Sequence, residues 1–326
     1  MTRKRRLTRW RDRRVVVWLA VLLTALCSSC RAQRSRNPEG PPPPGLRYVP
    51  PLSRVELVEA GVDLAKFYTH PDPGIVPSGL VPHEYEIWQV RKGAAYWSVT
   101  AGTRSDERHS RAGVWLFHAD WRPAGRVTKL PLEGGPVSIW AEWDRPGQEL
   151  AVLVWSGGSP RESIVRLGLV TPARPDFAQI LSLPGGSWPS FAWVDHSIVV
   201  AATRSGLDLV VLVNTTTREA HQLCAVRESL PQQTTISSLW PSPDGARVAF
   251  DLSDVAAYRP RNGLFLIEVS AGTCVQITYD DSAQTYTHTV VGWQGSDILL
   301  FARMVNGGRY DLYRAIVRRA TAGTPR

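Results

Sequence analysis

The chain is poor in several things that would otherwise direct a reading. Among 326 residues there are 4 cysteines, 2 methionines and 4 lysines, the last against 34 arginines. Four cysteines exclude a disulfide-dense scaffold, and the two in the body, Cys224 and Cys274, have no C-x-x-C spacing to hold zinc or run a dithiol cycle. No apolar run approaches the roughly 20 residues a bilayer-spanning helix needs. The longest, residues 15–26, is a dozen residues long. A G-x-S-x-G elbow, H-E-x-x-H, a P-loop and a helix-opening G-x-G-x-x-G are all missing, which removes the commonest hydrolase, zinc and nucleotide signatures. The seven histidines stand singly with no i,i+4 pair, so no metal site is expected and no cofactor is implied.

The net charge of +9 first suggests a nucleic-acid or acidic-membrane partner. Its distribution removes that support. Eight basic residues lie in the first fourteen positions beside one acid, Asp12, and residues 15–326 hold 30 bases and 28 acids. No nucleic-acid partner is expected. A cationic block followed by a short apolar run is the order of a secretory signal, and it places the body outside the cytoplasm. The run ends Leu26-Cys27-Ser28-Ser29-Cys30, which resembles a bacterial lipobox, although Cys27 stands where that pattern has an aliphatic residue. The resemblance implies a signal over residues 1–29 and a diacylglycerol anchor on Cys30. Secretion without an anchor, or an uncleaved signal anchor, is the alternative. Residues 30–51 contain seven prolines and read as an extended tether, reaching on the order of 60 Å at about 3.1 Å per residue.

From residue 80 onward, short apolar runs alternate with turn residues, which argues all-β. Trp88, Trp143, Trp193, Trp240 and Trp293 recur at intervals of 55, 50, 47 and 53 residues. After the last four comes a turn containing Asp144, Asp195, Asp244 or Asp297, then a wholly apolar strand. These aspartates are explained by the turns they fold rather than by a metal. Four strands per unit of about 50 residues is the period of a β-propeller blade, because one twisted meander cannot bury both faces while stacked copies can. The expectation is a propeller of five blades, or six if residues 46–80 build another, over residues 80–318 with a tail at 319–326. The last unit stops one strand short near Val317. Arg47-Tyr-Val, or Ser53-Arg-Val-Glu-Leu-Val-Glu within a ring-closing segment of residues 52–79, is expected to supply the closing strand, although 53–68 also reads as a short amphipathic helix.

Leu239-Trp-Pro-Ser-Pro-Asp-Gly-Ala-Arg-Val-Ala-Phe, then Asn262-Gly-Leu-Phe-Leu-Ile-Glu-Val and Gln276-Ile-Thr, resembles a repeat of the TolB-like propeller family. The resemblance implies fold and compartment more than activity. Cys224 and Cys274 sit near the ends of fourth strands in neighbouring units; an exported domain permits a disulfide between them, and two separate thiols is the other reading.

In such meanders the loops joining second to third strands share one rim, and here each contains arginine: Arg104, Arg108 and Arg111; Arg161; Arg204; Arg259 and Arg261 with Tyr258; Arg303 and Arg309. Long loops on a rigid scaffold are where binding residues sit. This rim is the expected contact for an envelope protein or polyanionic polymer. The function expected is an exported, lipid-anchored binding or scaffolding module of the bacterial cell envelope. A propeller-type hydrolase acting on carbohydrate or peptide is the alternative.

Overall fold

The computed structural model describes residues 46–64, 76–103, 112–132, 137–157, 163–184, 189–204, 207–226, 234–254, 263–280, 288–305 and 309–318, all within the unit Pro42–Arg326. The signal segment, Cys30, the tether to residue 45 and the tail from 319 lie outside the described residues. Among those described, the repetitive structure is almost wholly strand.

Strands β1 (Leu46–Tyr48) and β2 (Leu52–Val62) come first. Sheet 1 follows, a meander of β3 (Tyr85–Lys92), β4 (Tyr96–Thr103), β5 (Ala112–His118) and β6 (Pro123–Arg126). Sheet 2 repeats the order with β7 (Val137–Trp143), β8 (Leu150–Ser156), β9 (Ile164–Thr171) and β10 (Arg174–Pro184). Sheet 3 comprises β11 (Ser190–Val194), β12 (Ser197–Arg204), β13 (Leu207–Asn214) and β14 (Ala220–Val226). Sheet 4 comprises β15 (Thr234–Pro241), β16 (Arg247–Asp254), β17 (Leu264–Glu268) and β18 (Thr273–Gln276). After β19 (Thr278–Asp280), which pairs with β1, sheet 5 is built from β20 (His288–Trp293), β21 (Ile298–Val305) and β22 (Arg309–Val317). Its fourth strand is β2, antiparallel to β22.

The sheets bury their faces on one another. Val114, Leu116, Ile139, Leu150 and Val152 fill the seam between sheets 1 and 2. Sheets 2 and 3 share Leu153, Leu167, Ile198 and Val213. Sheets 3 and 4 share Val199, Val210, Val248 and Phe250, and sheets 4 and 5 share Leu264, Leu266, Leu299 and Phe301. Four-stranded meanders stacked face to face in chain order are the architecture of a β-propeller. The other face of sheet 1 carries its own cluster, Val90, Val99 and Phe117, covered by the stacked pair Trp97 and Trp121 and by Val76, Leu80 and Val81.

Two of the period-50 tryptophans share a task in this packing. Trp193 on β11 donates its indole N–H to the Glu142 carbonyl on β7, and Trp293 on β20 donates to the Trp240 carbonyl on β15, both at 2.9 Å. Each thus joins the first strand of one sheet to the first strand of the sheet before it. Trp88 is out of step with them. β3 runs on to Lys92 through a bulge between Ile87 and Gln89, so Trp88 lies inside the strand with its ring over Gly102, where an added Cβ would lie 2.1 Å from a ring carbon. Replacing Trp293 with Phe keeps a six-membered ring but removes the pyrrole half of the indole with its bond, leaving the Trp240 carbonyl without that donor. A loss of about 1 kcal/mol is expected, read as a lower urea midpoint at unchanged slope.

The segment that read as either strand or helix is strand. β2 shifts register against β22 between Leu52 and Arg54, between Leu57 and Glu59, and between Glu59 and Val62. Extra residues at such bulges break the two-residue alternation, so its buried positions Leu52, Val55 and Val62 fall three and seven apart, a helix-like spacing. Cys274 on β18 is half-buried against the seam of sheets 3 and 4. Cys224, its candidate disulfide partner, is in register with Val210 on β13, and its side chain lies outside the described residues.

Candidate functional site

One end carries the turns between first and second strands, and they are bonded to each other. The Ala94 amide donates to the Gly147 carbonyl at 3.0 Å, joining the turns of sheets 1 and 2. Arg145 reaches from sheet 2 to the Pro243 carbonyl in the turn of sheet 4 at 2.7 Å. A Cβ on Gly245 would lie 3.3 Å from the Asp195 amide, so the turns of sheets 3 and 4 are also in close approach.

Within the Pro241–Gly245 turn, the Ser242 hydroxyl donates to Asp244 and accepts from the Arg247 amide. Partial burial pushes the Asp244 carboxyl up, but bonds from Ser242, the Ala246 amide and Ser296 of sheet 5 outweigh it and hold the pKa below the usual range. Asp144 likewise accepts from the amides of Gln148 and Glu149 at 2.6 and 3.0 Å. Arg247 sits behind this turn, 3% exposed, with its guanidinium spread over Glu268 Oε1 (2.9 Å), the Ser296 carbonyl (3.3 Å), Asp297 Oδ1 (3.4 Å) and the Arg318 carbonyl (3.1 Å).

The opposite end is where second-to-third-strand connections and inter-sheet crossings emerge. Of the arginine rim expected there, Arg104, Arg108, Arg111, Arg161, Tyr258, Arg259 and Arg261 lie outside the described residues. Arg204 ends β12 in register with Leu207, and Arg309 opens β22 as an exposed residue, so both backbones are placed at this end. Arg303 corrects the expectation of a solvent-facing cation. It is 5% exposed, because strand alternation puts it on the same face of β21 as Phe301, turned toward sheet 4.

Arg303 belongs to a buried polar cluster that no sequence pattern announced. It donates to the Tyr313 hydroxyl, which donates in turn to Asp311. Asp311 also accepts from the Gly61 amide of β2 at 3.0 Å. On the strand beside Arg303, His288 is fully buried, and its Nδ1 is 2.9 Å from the Thr278 hydroxyl, which accepts the Leu264 amide. Asp251 on β16, 4% exposed and two residues from Ala249, faces the same seam. Thr278 was within reach of the sequence, being the threonine that closes the TolB-like phrase; its bond to Leu264 explains why that position needs a hydroxyl. These groups gather an imidazole, a phenol and two carboxylates on the strands where sheets 4 and 5 meet.

Burial, with the Asp311 charge beside it, holds the Tyr313 pKa above its ordinary value. A raised folded-state pKa means that the native state keeps its proton longer than the unfolded chain, so this contribution is intact below about pH 10 and is lost as pH rises through the folded value. Urea midpoints should fall more steeply above about pH 10 in the parent chain than in Tyr313→Phe. Parallel profiles would detach the hydroxyl from the cluster.

No family model matches the sequence, and no curated protein matches it. Among solved structures, an oligogalacturonate lyase in complex with manganese aligns over 73% of this chain and 67% of its own, at 14% identity and TM-score 0.50. A prolyl endopeptidase aligns over 78% of this chain and 39% of its own at 15% identity and TM-score 0.45. TolB from Acinetobacter baumannii aligns over 80% of this chain and 96% of its own at 11% identity and TM-score 0.35. At these identities the likeness is one of fold.

Proposed function

We propose that the chain is an exported, lipid-anchored β-propeller of five blades, closed by β2, that acts as a binding or scaffolding module at the bacterial cell envelope. The observation that carries this reading is the contrast between its ends. Inter-sheet bonds through Arg145, Arg247 and the Ala94 amide sew one end together. The strands that end at the other side are joined by the two longest second-to-third-strand connections of the sequence, which include residues 104–111 and 255–262 and contain arginine, and His288, Arg303 and Tyr313 lie buried on strands of sheet 5. A rigid scaffold that presents variable loops on one side is suited to recognition. Arginine, with its planar fork of donors, is suited to carboxylate, sulfate or phosphate groups on the partner.

The anchor and the rim are separable in experiment. Cys30→Ser should move the chain from membrane to soluble fractions and remove the acyl mass from the mature N-terminus. In the detergent-solubilised full chain, charge reversal of Arg108, Arg161 and Arg259 should lower the salt needed for elution from a sulfated-polysaccharide resin and reduce recovery of envelope partners from membranes. Elution and recovery equal to the parent would overturn the rim assignment.

A further inference from the structure

Between sheets 2 and 3, at the end where the short turns lie, is a cavity of about 450 Å3. Its base is apolar, formed by Leu169, Phe177 and Ile180. One wall is made where the chain leaving sheet 1 joins the edge of sheet 2. The Thr128 amide donates to the Pro175 carbonyl at 2.8 Å, and the Phe177 amide donates to the Thr128 carbonyl at 3.0 Å. Lys129 follows in a left-handed conformation, φ 58°. Its ammonium lies 2.8 Å from Asp176 Oδ2, and the Thr128 hydroxyl donates to the other oxygen, so Asp176 is already satisfied. Arg174, 3.8 Å from Asp176, leaves most of its guanidinium in solvent.

The facing wall is the turn after β13. Asn214 Oδ1 accepts the amides of Thr216 and Thr217, each at 2.9 Å, and the Asn214 carbonyl accepts the Arg218 amide at 2.9 Å. This locks Arg218 at φ 62°, a second left-handed cation beside the cavity. The Arg218 guanidinium has no hydrogen-bond or ion-pair partner among the described residues. Glu149, from the first turn of sheet 2, completes the lining; burial first and then the Asp144 charge push its carboxyl above the usual range. It too has no side-chain partner among the described residues.

These groups make two distinct demands. Arg218 and Arg174 call for an anion, since guanidinium forks bind carboxylate or phosphate oxygens in pairs. Glu149 and the hydroxyls of Thr171 and Thr216 call for neutral hydroxyls, and the apolar base calls for a C–H face. The volume is that of a small-molecule site. We propose that this cavity binds an anionic saccharide unit, its carboxylate or phosphate on Arg218 and Arg174 and its ring hydroxyls on Glu149 and the threonines. The site lies at the opposite end from the arginine rim and stands or falls independently of it.

The test is titration of the detergent-solubilised full chain with glucuronic acid, glucose 6-phosphate and glucose, followed by saturation-transfer NMR. At least one anionic probe is expected to saturate, with glucose at least about tenfold weaker, and Arg218→Gln is expected to weaken the anionic probe by about tenfold or more. Arg218 is exposed, so the variant should melt with the parent, which separates a lost contact from a lost fold. Saturation by only one of the two acids supports the proposal and identifies the anion. Failure of both acids to saturate, equal binding of glucose, or parental affinity in Arg218→Gln overturns it.

Discussion

Replacing Arg247 with alanine should cost about 3 kcal/mol of stability, one of the two largest losses expected in this chain, because it strips a buried cation from acceptors that have no substitute. Glu268 keeps a carboxylate that is 19% exposed, and the Ser296 and Arg318 carbonyls lose a donor each. The damage crosses a seam. Glu268 belongs to sheet 4, whereas Ser296, Asp297 and Arg318 belong to the turn and end of sheet 5. For a domain of this size such a loss lowers the melting temperature by roughly 6–12 °C. Lysine should recover less than half of it, since one ammonium on a flexible stem cannot reach four acceptors spread across a planar fork. Glu268→Gln should cost less than Arg247→Ala, as the other acceptors stay in place. Equal melting of Arg247→Ala and the parent would show the guanidinium to be a passenger of the packing.

That such a residue escaped the sequence reading while the tryptophans did not has a physical cause. Trp193 and Trp293 perform the same geometric task, one indole N–H to one carbonyl of the preceding sheet, from the same place at the end of a first strand, and a repeated place leaves a period in the sequence. The turn aspartates are legible for a similar reason, since Asp144 and Asp244 bond amides of their own turns. Arg247, by contrast, acts once, and its partners come from positions 21 to 71 residues away. The same holds for the buried polar cluster of the candidate site. His288 takes its partner from β19 and Arg303 from β22, and Asp251 sits on β16, so each is a lone polar residue on an apolar strand until the strands are assembled. Arg303 illustrates the limit. Its place near a second-to-third-strand loop was readable, but which face of β21 it occupies depended on register with Phe301, and that put it inside.

Removing β2 should abolish the cooperative fold. A chain beginning at residue 64 loses Leu52, Val55 and Val62 from the interior, each worth about 1.5–3 kcal/mol of burial, a total comparable with the 5–15 kcal/mol by which whole domains are stable. It also loses the ladder to β22, the Arg314–Glu56 ion pair and the Gly61 amide that Asp311 accepts. β22 would then be a bare edge nine residues long, open to pairing with other chains. The expected result is a broad, non-cooperative melt and oligomers in size-exclusion chromatography. A chain beginning at residue 46 removes the signal and tether but keeps β1 and β2, and should melt with the full chain. Adding a synthetic peptide of residues 50–63 to the shorter chain should restore the cooperative transition, because β2 enters the sheet only as an outer strand and its pairing carries its own register through the bulges. A monomeric, cooperatively melting chain from residue 64 would mean that sheet 5 is complete with three strands, and that β2 is an ornament on its edge.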